Sequence, residues 1–382
     1  MKKSFAARQS GIELLKIIAI LLIVLNHMVQ TLTETNGLMP DTSYVVDICS
    51  NTTNIQTLIL AILRSSGCVG NDIFVICSAW FLLDSSRCDK RKVSFLICNV
   101  WTVSVLIFFI TLALGCDLDR DSTLKQFFPI GNSNNWFITC YILFFLIHPL
   151  LNRLIRDMSQ KALLSVAAAM AFLYAIVNYF RPWFFNYAPY FMNDLIVWIM
   201  MYFVLAYVKL YLTDFQKNTR ANAIGLLIGI LGQALMIVLT NEAGLRISML
   251  ANKLQYWNYG GSPFIIMTAI CSFNLMRRIQ WKSRLVNFIS GLSLLIYVIH
   301  ENYIIVYNYR PWIFDYIHKT FGYDHIVLWV ILLVPAIFIL AAIISALYSV
   351  TIERLVKIVS DKIYDFLFKI WERASAAFMK LR

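Results

Sequence analysis

Charged residues are scarce in this sequence: only 14% of the 382 residues are Asp, Glu, Lys or Arg, whereas 60% are hydrophobic. A soluble domain has roughly 25% charged and about 45–50% apolar residues. A larger core does not absorb this excess, because a folded monomer of this size still has an extensive surface to cover with polar groups. The composition therefore excludes a soluble enzyme and a disordered tail, and it predicts a protein whose main solvent is lipid.

The sequence also lacks the cysteine spacings of metal sites. Its eight cysteines include no Cys-x-x-Cys pair, so no zinc or haem site is indicated. The first apolar stretch has no small-residue cleavage site and contains Glu13, Lys16 and His27, which argues against a cleavable signal peptide. We expect no metal and no permanently bound cofactor.

Apolar runs long enough to cross a hydrocarbon core of ~30 Å recur from end to end. Ten runs are found, at about 11–32, 58–83, 93–114, 136–152, 162–180, 194–213, 222–240, 262–277, 285–307 and 326–350. Residues 1–350 are therefore predicted to form one all-α membrane domain, a polytopic bundle of about ten transmembrane helices.

The net charge of +12 would indicate nucleic acid in a soluble protein. Here the basic residues alternate along the chain between segments that are rich in them and segments that are poor in them. With a cytoplasmic N-terminus, every inside segment has at least three Lys or Arg residues and no outside segment has more than two. Because basic residues concentrate in cytoplasmic loops, we predict that both termini are cytoplasmic and that the partners include membrane lipids but no nucleic acid.

The segment 351–382 has a different pattern. Apolar residues from Ile352 to Trp371 recur at helical spacing, with lysines and Arg373 between them. This pattern is typical of a basic amphipathic helix that lies on the inner membrane surface. We predict such an interfacial helix as a cytoplasmic tail.

Ionisable residues inside spans are costly in lipid, so each is a candidate for function. The candidates of this kind are Lys16, His27, Arg64, Asp72, His300 and Glu301. Lys16 and His27 are 11 residues apart, about three helical turns, so they point to the same side of the first helix. At ~1.5 Å per residue, His27 and His300 lie at matched depth in the outer half, where they are predicted to form a polar cluster with Glu301.

Four stretches resemble one family, the integral-membrane acyltransferases of acyltransferase family 3. They are 11–27, which runs through Lys16 to His27; 71–81, which contains Asp72 and Ser78; 135–152, which begins Asn-Trp-Phe; and 292–302, which ends Ile-His-Glu-Asn. Their order is similar to the family pattern over most of the chain. Two positions depart from it, since Lys16 stands where the family has Arg and Ala79 where it has Gly.

The resemblance implies transfer of an acyl group, usually acetyl, from cytoplasmic acyl-CoA to a hydroxyl of a cell-surface or lipid-linked polysaccharide. His27 is then predicted as the general base, because neutral imidazole takes protons near neutral pH. Either Glu301 or Asp72 would fix its tautomer. Direct attack and an acyl-histidine intermediate are both compatible with these residues.

The remaining candidates are assigned to binding. Lys16 and Arg64 are expected to bind acetyl-CoA, the donor substrate. Ser78, Trp136, Tyr141 and His300 are the candidates for oxyanion or substrate contacts. The expected location is the cytoplasmic (inner) membrane of a bacterium.

Two other classes of protein are compatible with the composition. A proton-coupled transporter or flippase for an envelope glycan would use His27, Asp72 and Glu301 as a relay. A polymerase acting on lipid-linked sugars would require acidic clusters in long external loops, but the longest, 33–57, contains only Glu34, Asp41 and Asp47.

Overall fold

The computed structural model describes residues 9–33, 46–131, 135–184, 194–322 and 324–380. Every regular element in these ranges is helical, as predicted. The α-helices are α1 Ser10–Thr33, α2 Ile55–Arg64, α3 Ser66–Leu82, α4 Lys90–Ala113, α5 Arg120–Phe127, α6 Trp136–Asp157, α7 Gln160–Met170, α8 Asn178–Phe184, α9 Asp194–Tyr211, α10 Thr213–Lys217, α11 Thr219–Gly244, α12 Pro263–Arg277, α13 Arg284–Gly291, α14 Ser293–His300, α15 Arg310–Phe321, α16 Ile326–Thr351 and α17 Glu353–Lys380. Single π-helical stretches, Ala171–Val177 and Ile305–Tyr309, precede α8 and α15.

In the described ranges, eight helical segments are long and apolar enough to cross a membrane, with α2 and α3 counted together and α7 joined to α8. They coincide with eight of the ten predicted runs. The other two runs do not form single helices of membrane-crossing length. Run 262–277 is α12, which has only 15 residues, and run 285–307 is divided into α13 and α14, of eight residues each.

Helix α1 lies at the centre of the bundle, with α3, α12, α13 and α16 among its neighbours. Its apolar side chains, such as Ile20, Val24 and Met28, are buried. Gly70 allows α3 to approach closely, since a Cβ at that position would lie 2.5 Å from the carbonyl oxygen of Ala19. The face of α1 that carries ionisable residues is therefore enclosed by protein.

Segments predicted to be cytoplasmic meet at one end of the bundle. The amide of Ser10 donates to the carbonyl of Trp281 at 3.1 Å, and the Lys209 ammonium lies 2.7 Å from the Asp84 carboxylate.

Segments predicted to be external meet at the other end. Asn51 donates to the carbonyl of Asn241 at 3.0 Å, and Gln56 donates to the carbonyl of Asp324 at 2.6 Å. The fold therefore separates the two sets of loops, as an alternating topology requires, and the assignment of the basic end to the cytoplasm stays a prediction.

The predicted tail is a helix, α17, which packs along α4 through buried Val356 and Ser360. Arg91 of α4 pairs with Asp365 at 2.5 Å and with Asp361 at 3.7 Å. Other apolar side chains of α17 are exposed within its described part, including Leu355, Phe366 and Leu367. Its location on a membrane surface and the division of the chain at residue 350 stay predictions.

Candidate active site

Glu301 is the centre of a buried polar cluster in the external half of the bundle. Its Oε2 lies 2.5 Å from Nδ1 of His27, 3.4 Å from Nη2 of Arg310 and 3.8 Å from Nε2 of His300. Glu301, His300 and Arg310 are all buried. The structure thus brings together His27, His300 and Glu301, the three residues that their matched depth predicted to meet.

The end of helix α14 orients this cluster. The helix ends at His300, so Glu301 leaves the helical path. Asn302 then holds the break: its Oδ1 accepts from the amide of Ile304 at 3.0 Å, and its Nδ2 donates to Oε1 of Gln126 at 2.7 Å. Both side chains are buried. This fixed break directs the Glu301 carboxylate toward α1.

Arg310 is a member of the cluster that the sequence did not indicate. Its guanidinium donates to the carbonyl of His300 and lies 3.5 Å from both the carbonyl of His27 and Oγ1 of Thr31. Nine residues separate Glu301 from Arg310, which is two and a half turns of a straight α-helix. Helical periodicity would place the two on opposite faces, and only the break after His300 and the π-helical stretch 305–309 let both face α1.

The contacts of the two histidines define a tautomer for His27. Nδ1 of His300 lies 2.7 Å from the carbonyl of Ile296, so it donates there and Nε2 carries the lone pair. That Nε2 lies 3.0 Å from Nδ1 of His27. Nδ1 of His27 therefore faces two acceptors, His300 and Glu301, and must carry the proton. Nε2 of His27, which makes no hydrogen bond within the described ranges, is left as the basic nitrogen.

The same three side chains have the composition of a metal site, with ligand atoms within 4.8 Å of one another. The distances between their ligand atoms fit a hydrogen bond better than a shared metal ion. Ligands at the usual ~2.0–2.1 Å from tetrahedral zinc lie about 3.3 Å apart, whereas His27 Nδ1 and Glu301 Oε2 are at a hydrogen-bond distance of 2.5 Å. The guanidinium of Arg310 beside the same oxygen also opposes a cation.

A polar cavity of about 250 Å³ adjoins the cluster. It is lined by His27, by polar side chains of α1, α2, α3 and α9, and by Trp136, Trp198 and Tyr259. Three larger cavities among the described residues, of about 450, 500 and 590 Å³, have almost wholly apolar walls, as expected for grooves that face lipid chains. The polar cavity is the one suited to a hydrophilic substrate.

Besides His27, three predicted site residues lie at this cavity. Asp72 and Arg64 line it, as does Trp136. Asp72 is not a contact of His27: of the two carboxylates predicted for that position, Glu301 is the one that contacts the imidazole. Asp194, at the start of α9, also lines the cavity. The sequence does not distinguish it, because it stands at the first residue of the predicted run 194–213, where a charged residue is ordinary.

Lys16 lies about three turns before His27 along α1, next to Glu13. Its ammonium is 3.4 Å from Oε1 of Glu13, whose Oε2 accepts from the hydroxyl of Ser290 in α13 at 2.5 Å. Eleven residues at ~1.5 Å each put Lys16 about 16 Å from His27 along the helix. Arg64 lies at the cavity near His27, so the two basic residues predicted to bind the donor are at different depths.

Ser78 and Tyr141 are neighbours but lie away from His27. Gly67 of α3 packs against Asn26, next to His27, and Ser78 is eleven residues further along α3, or about 16 Å. Ser78 and Tyr141 are thus nearer the depth of Lys16. The oxyanion role that the sequence proposed for them has no geometric support at His27.

Fold and site together define a polytopic helical membrane protein with a buried histidine–glutamate pair beside a polar cavity. Residues 9–349 match the family model described as the acyltransferase domain, that of acyltransferase family 3. The chain belongs to this family, as the four sequence stretches predicted. No curated protein and no solved structure shows a significant match to it.

Proposed function

We propose that the protein is an O-acyltransferase that moves an acetyl group from cytoplasmic acetyl-CoA to a hydroxyl of a cell-surface or lipid-linked polysaccharide, in the cytoplasmic membrane of a bacterium. The observation that carries the proposal is the contact of 2.5 Å between the Glu301 carboxylate and Nδ1 of His27. This contact leaves Nε2 of His27 basic next to a polar cavity. Membership of the family supplies the reaction class.

In the proposed reaction, Nε2 of His27 removes the proton of the acceptor hydroxyl as the hydroxyl oxygen attacks the thioester carbonyl. A carbon–oxygen bond forms and the carbon–sulfur bond breaks. The departing CoA sulfur then takes the proton from Nε2, so that the products are an acetyl ester and free CoA. His27 ends the cycle neutral.

Glu301 and Arg310 support this proton transfer in different ways. The carboxylate stabilises the imidazolium that forms while the hydroxyl attacks. Arg310 contacts the carbonyl groups of His27 and His300 as well as Glu301, and it therefore fixes the two helix segments that carry the pair. Such positioning matters because reacting atoms must approach within about 3–3.5 Å in the right orientation.

We expect Arg310→Lys to lower the transfer rate by about 10- to 100-fold. Lysine keeps the charge, but one ammonium lacks the planar fork that reaches the Glu301 carboxylate and the backbone carbonyls together. Arg246→Lys, at an exposed position of the same end of the bundle, serves as the control. Equal rates for both variants, at equal thermal stability, would show that Arg310 does not position the site.

The donor is proposed to enter from the basic end. Lys16 lies about 16 Å from His27 along α1, so a CoA phosphate near Lys16 and a thioester near His27 require an extended pantetheine arm between them. A Lys ammonium binds phosphate as a point charge. The distribution of basic residues supports this direction of entry.

The test of the proposal uses the purified full chain in vesicles with acetyl-CoA on the side of the termini and a glycan acceptor on the other. Release of free CoA and appearance of O-acetyl esters, each dependent on the other substrate, are the expected results. Movement of glycan across the membrane without CoA release would instead favour the transporter alternative.

For Lys16→Ala we expect the KM for acetyl-CoA to rise about 10-fold, with kcat nearly unchanged, because the lost contact binds the donor in ground and transition states alike. The matched control is Lys161→Ala, at an exposed position at the same end of the bundle. Initial rates over a range of acetyl-CoA concentrations separate the two parameters. An unchanged KM contradicts the donor-binding role of Lys16.

A further inference from the structure

The polar cavity beside His27 is lined by buried acceptors that lack partners. Asp72 is only 1% exposed, yet its Oδ2 makes no hydrogen bond with any described residue, and the same holds for Oδ1 of Asn26 and Oδ1 of Asn71. All three side chains line the one cavity. An unpaired buried acceptor is costly, because it has lost its hydrogen bonds to water without gaining others. Three such acceptors at one cavity indicate a ligand that donates several hydrogen bonds.

The charge of the lining restricts which donors fit. Asp72 and Asp194 both line the cavity, and Arg64 is the single Lys or Arg among the described lining residues. Two carboxylates against one guanidinium leave the lining net acidic when all three are ionised. Such a lining repels an anionic group and accepts hydroxyl or ammonium groups.

The rest of the lining gives the shape of the ligand. The rings of Trp136 and Trp198 lie 6.4 Å apart at the cavity, and Tyr259 contributes a third ring. Aromatic rings offer apolar faces, so a ligand with an apolar face and polar edges matches this combination. A volume of about 250 Å³ is below the ~300–1,000 Å³ of pockets for drug-sized ligands, and it suits one ring-sized unit.

We propose that this cavity is the acceptor subsite and that it takes a single pyranose unit that is neutral or carries an amine, with Asp72 accepting hydrogen bonds from its hydroxyl groups. Acidic units, such as uronic acids, are rejected by Asp72 and Asp194. The name acceptor subsite rests on the proposed function. Asp72 is thereby a specificity-determining residue and not the partner of the catalytic imidazole.

The test measures binding without turnover. Saturation-transfer NMR with the full chain in detergent micelles compares methyl glucoside, its 2-amino-2-deoxy analogue and methyl glucuronide. We expect the first two to bind and the glucuronide to bind at least 10-fold more weakly. Equal binding of all three, or binding of none, would overturn the proposal.

Variants then assign the selectivity to the cavity. Asp72→Asn should weaken binding of the neutral and amino sugars about 10-fold and narrow the gap to the glucuronide. Asp194 is half-buried at the edge of the cavity, and Asp194→Asn should likewise reduce the difference in affinity between the glucuronide and the other two sugars. It provides a second test of the selectivity if Asp72→Asn does not fold. Asp214→Asn, at an exposed position at the other end of the bundle, is the control. Unaltered selectivity in both cavity variants contradicts the proposal.

The two proposals fail in different ways. Selective sugar binding without any acetyl transfer would support the proposed subsite and overturn the proposed reaction. If acetyl transfer occurs but Asp72→Asn and Asp194→Asn leave the acceptor KM and the charge preference unchanged, the proposed reaction is supported and the proposed subsite is overturned.

Discussion

Replacement of His27 by alanine should reduce acetyl transfer by roughly 10²- to 10⁴-fold, the usual contribution of a positioned general base. In the structure no other imidazole of the described residues takes the same position: the ring of His300 donates through Nδ1 to Ile296 and faces His27 with Nε2. The measurement is the initial rate of CoA release in vesicles, with O-acetyl esters quantified on the acceptor.

The control for this variant is His325→Ala, an exposed histidine outside the cluster, which should transfer at the wild-type rate. Thermal stability and elution volume of both variants show whether they fold. A folded His27→Ala protein that acylates the acceptor as fast as the wild type would rule out His27 as the base.

Glu301→Gln should lower kcat by about 10²- to 10⁴-fold without a comparable change in the KM for acetyl-CoA. Glutamine has the same length but no charge, so it does not stabilise the imidazolium, and its amide can present an N–H to Nδ1 and favour the wrong tautomer. The loss should appear in kcat, because the charge on His27 develops only in the transition state.

Two further variants make the result on Glu301 specific. Glu301→Asp restores the charge at a shorter reach and should recover part of the activity. Glu242→Gln, at an exposed position on α11, should have no effect. If Glu301→Gln retains most of the wild-type kcat, the carboxylate that supports the base lies elsewhere, and Asp72 is the first alternative.

The helical class and most of the spans were predictable because they depend on local properties. Eight of the ten apolar runs coincide with helices of membrane-crossing length, since run length and hydrophobicity are read directly from the chain. The meeting of His27 with His300 and Glu301 was also predictable, because the fixed rise of a helix converts residue number into depth.

The placement of the oxyanion candidates was not predictable in the same way. Ser78 lies in the same sequence stretch as Asp72, but six residues of helix separate them by about 9 Å, so only Asp72 lines the cavity. Arg64 and Lys16 have the same charge and the same predicted role in donor binding, yet they lie at different depths. Residue type and proximity in sequence do not determine which element a side chain faces.

The sequence by itself determined an all-helical membrane protein of acyltransferase family 3, the separation of its basic and external loops, and the depth at which two histidines and a glutamate meet. The tertiary structure decided that Glu301 and not Asp72 contacts His27, that Arg310 joins them, and that Asp72 faces a polar cavity with Asp194. For Glu301 and Arg310, the physical reason is the break after His300. A regular helix has one fixed angle per residue, whereas a break redirects every side chain that follows, and its direction depends on tertiary contacts such as that of Asn302 with Gln126.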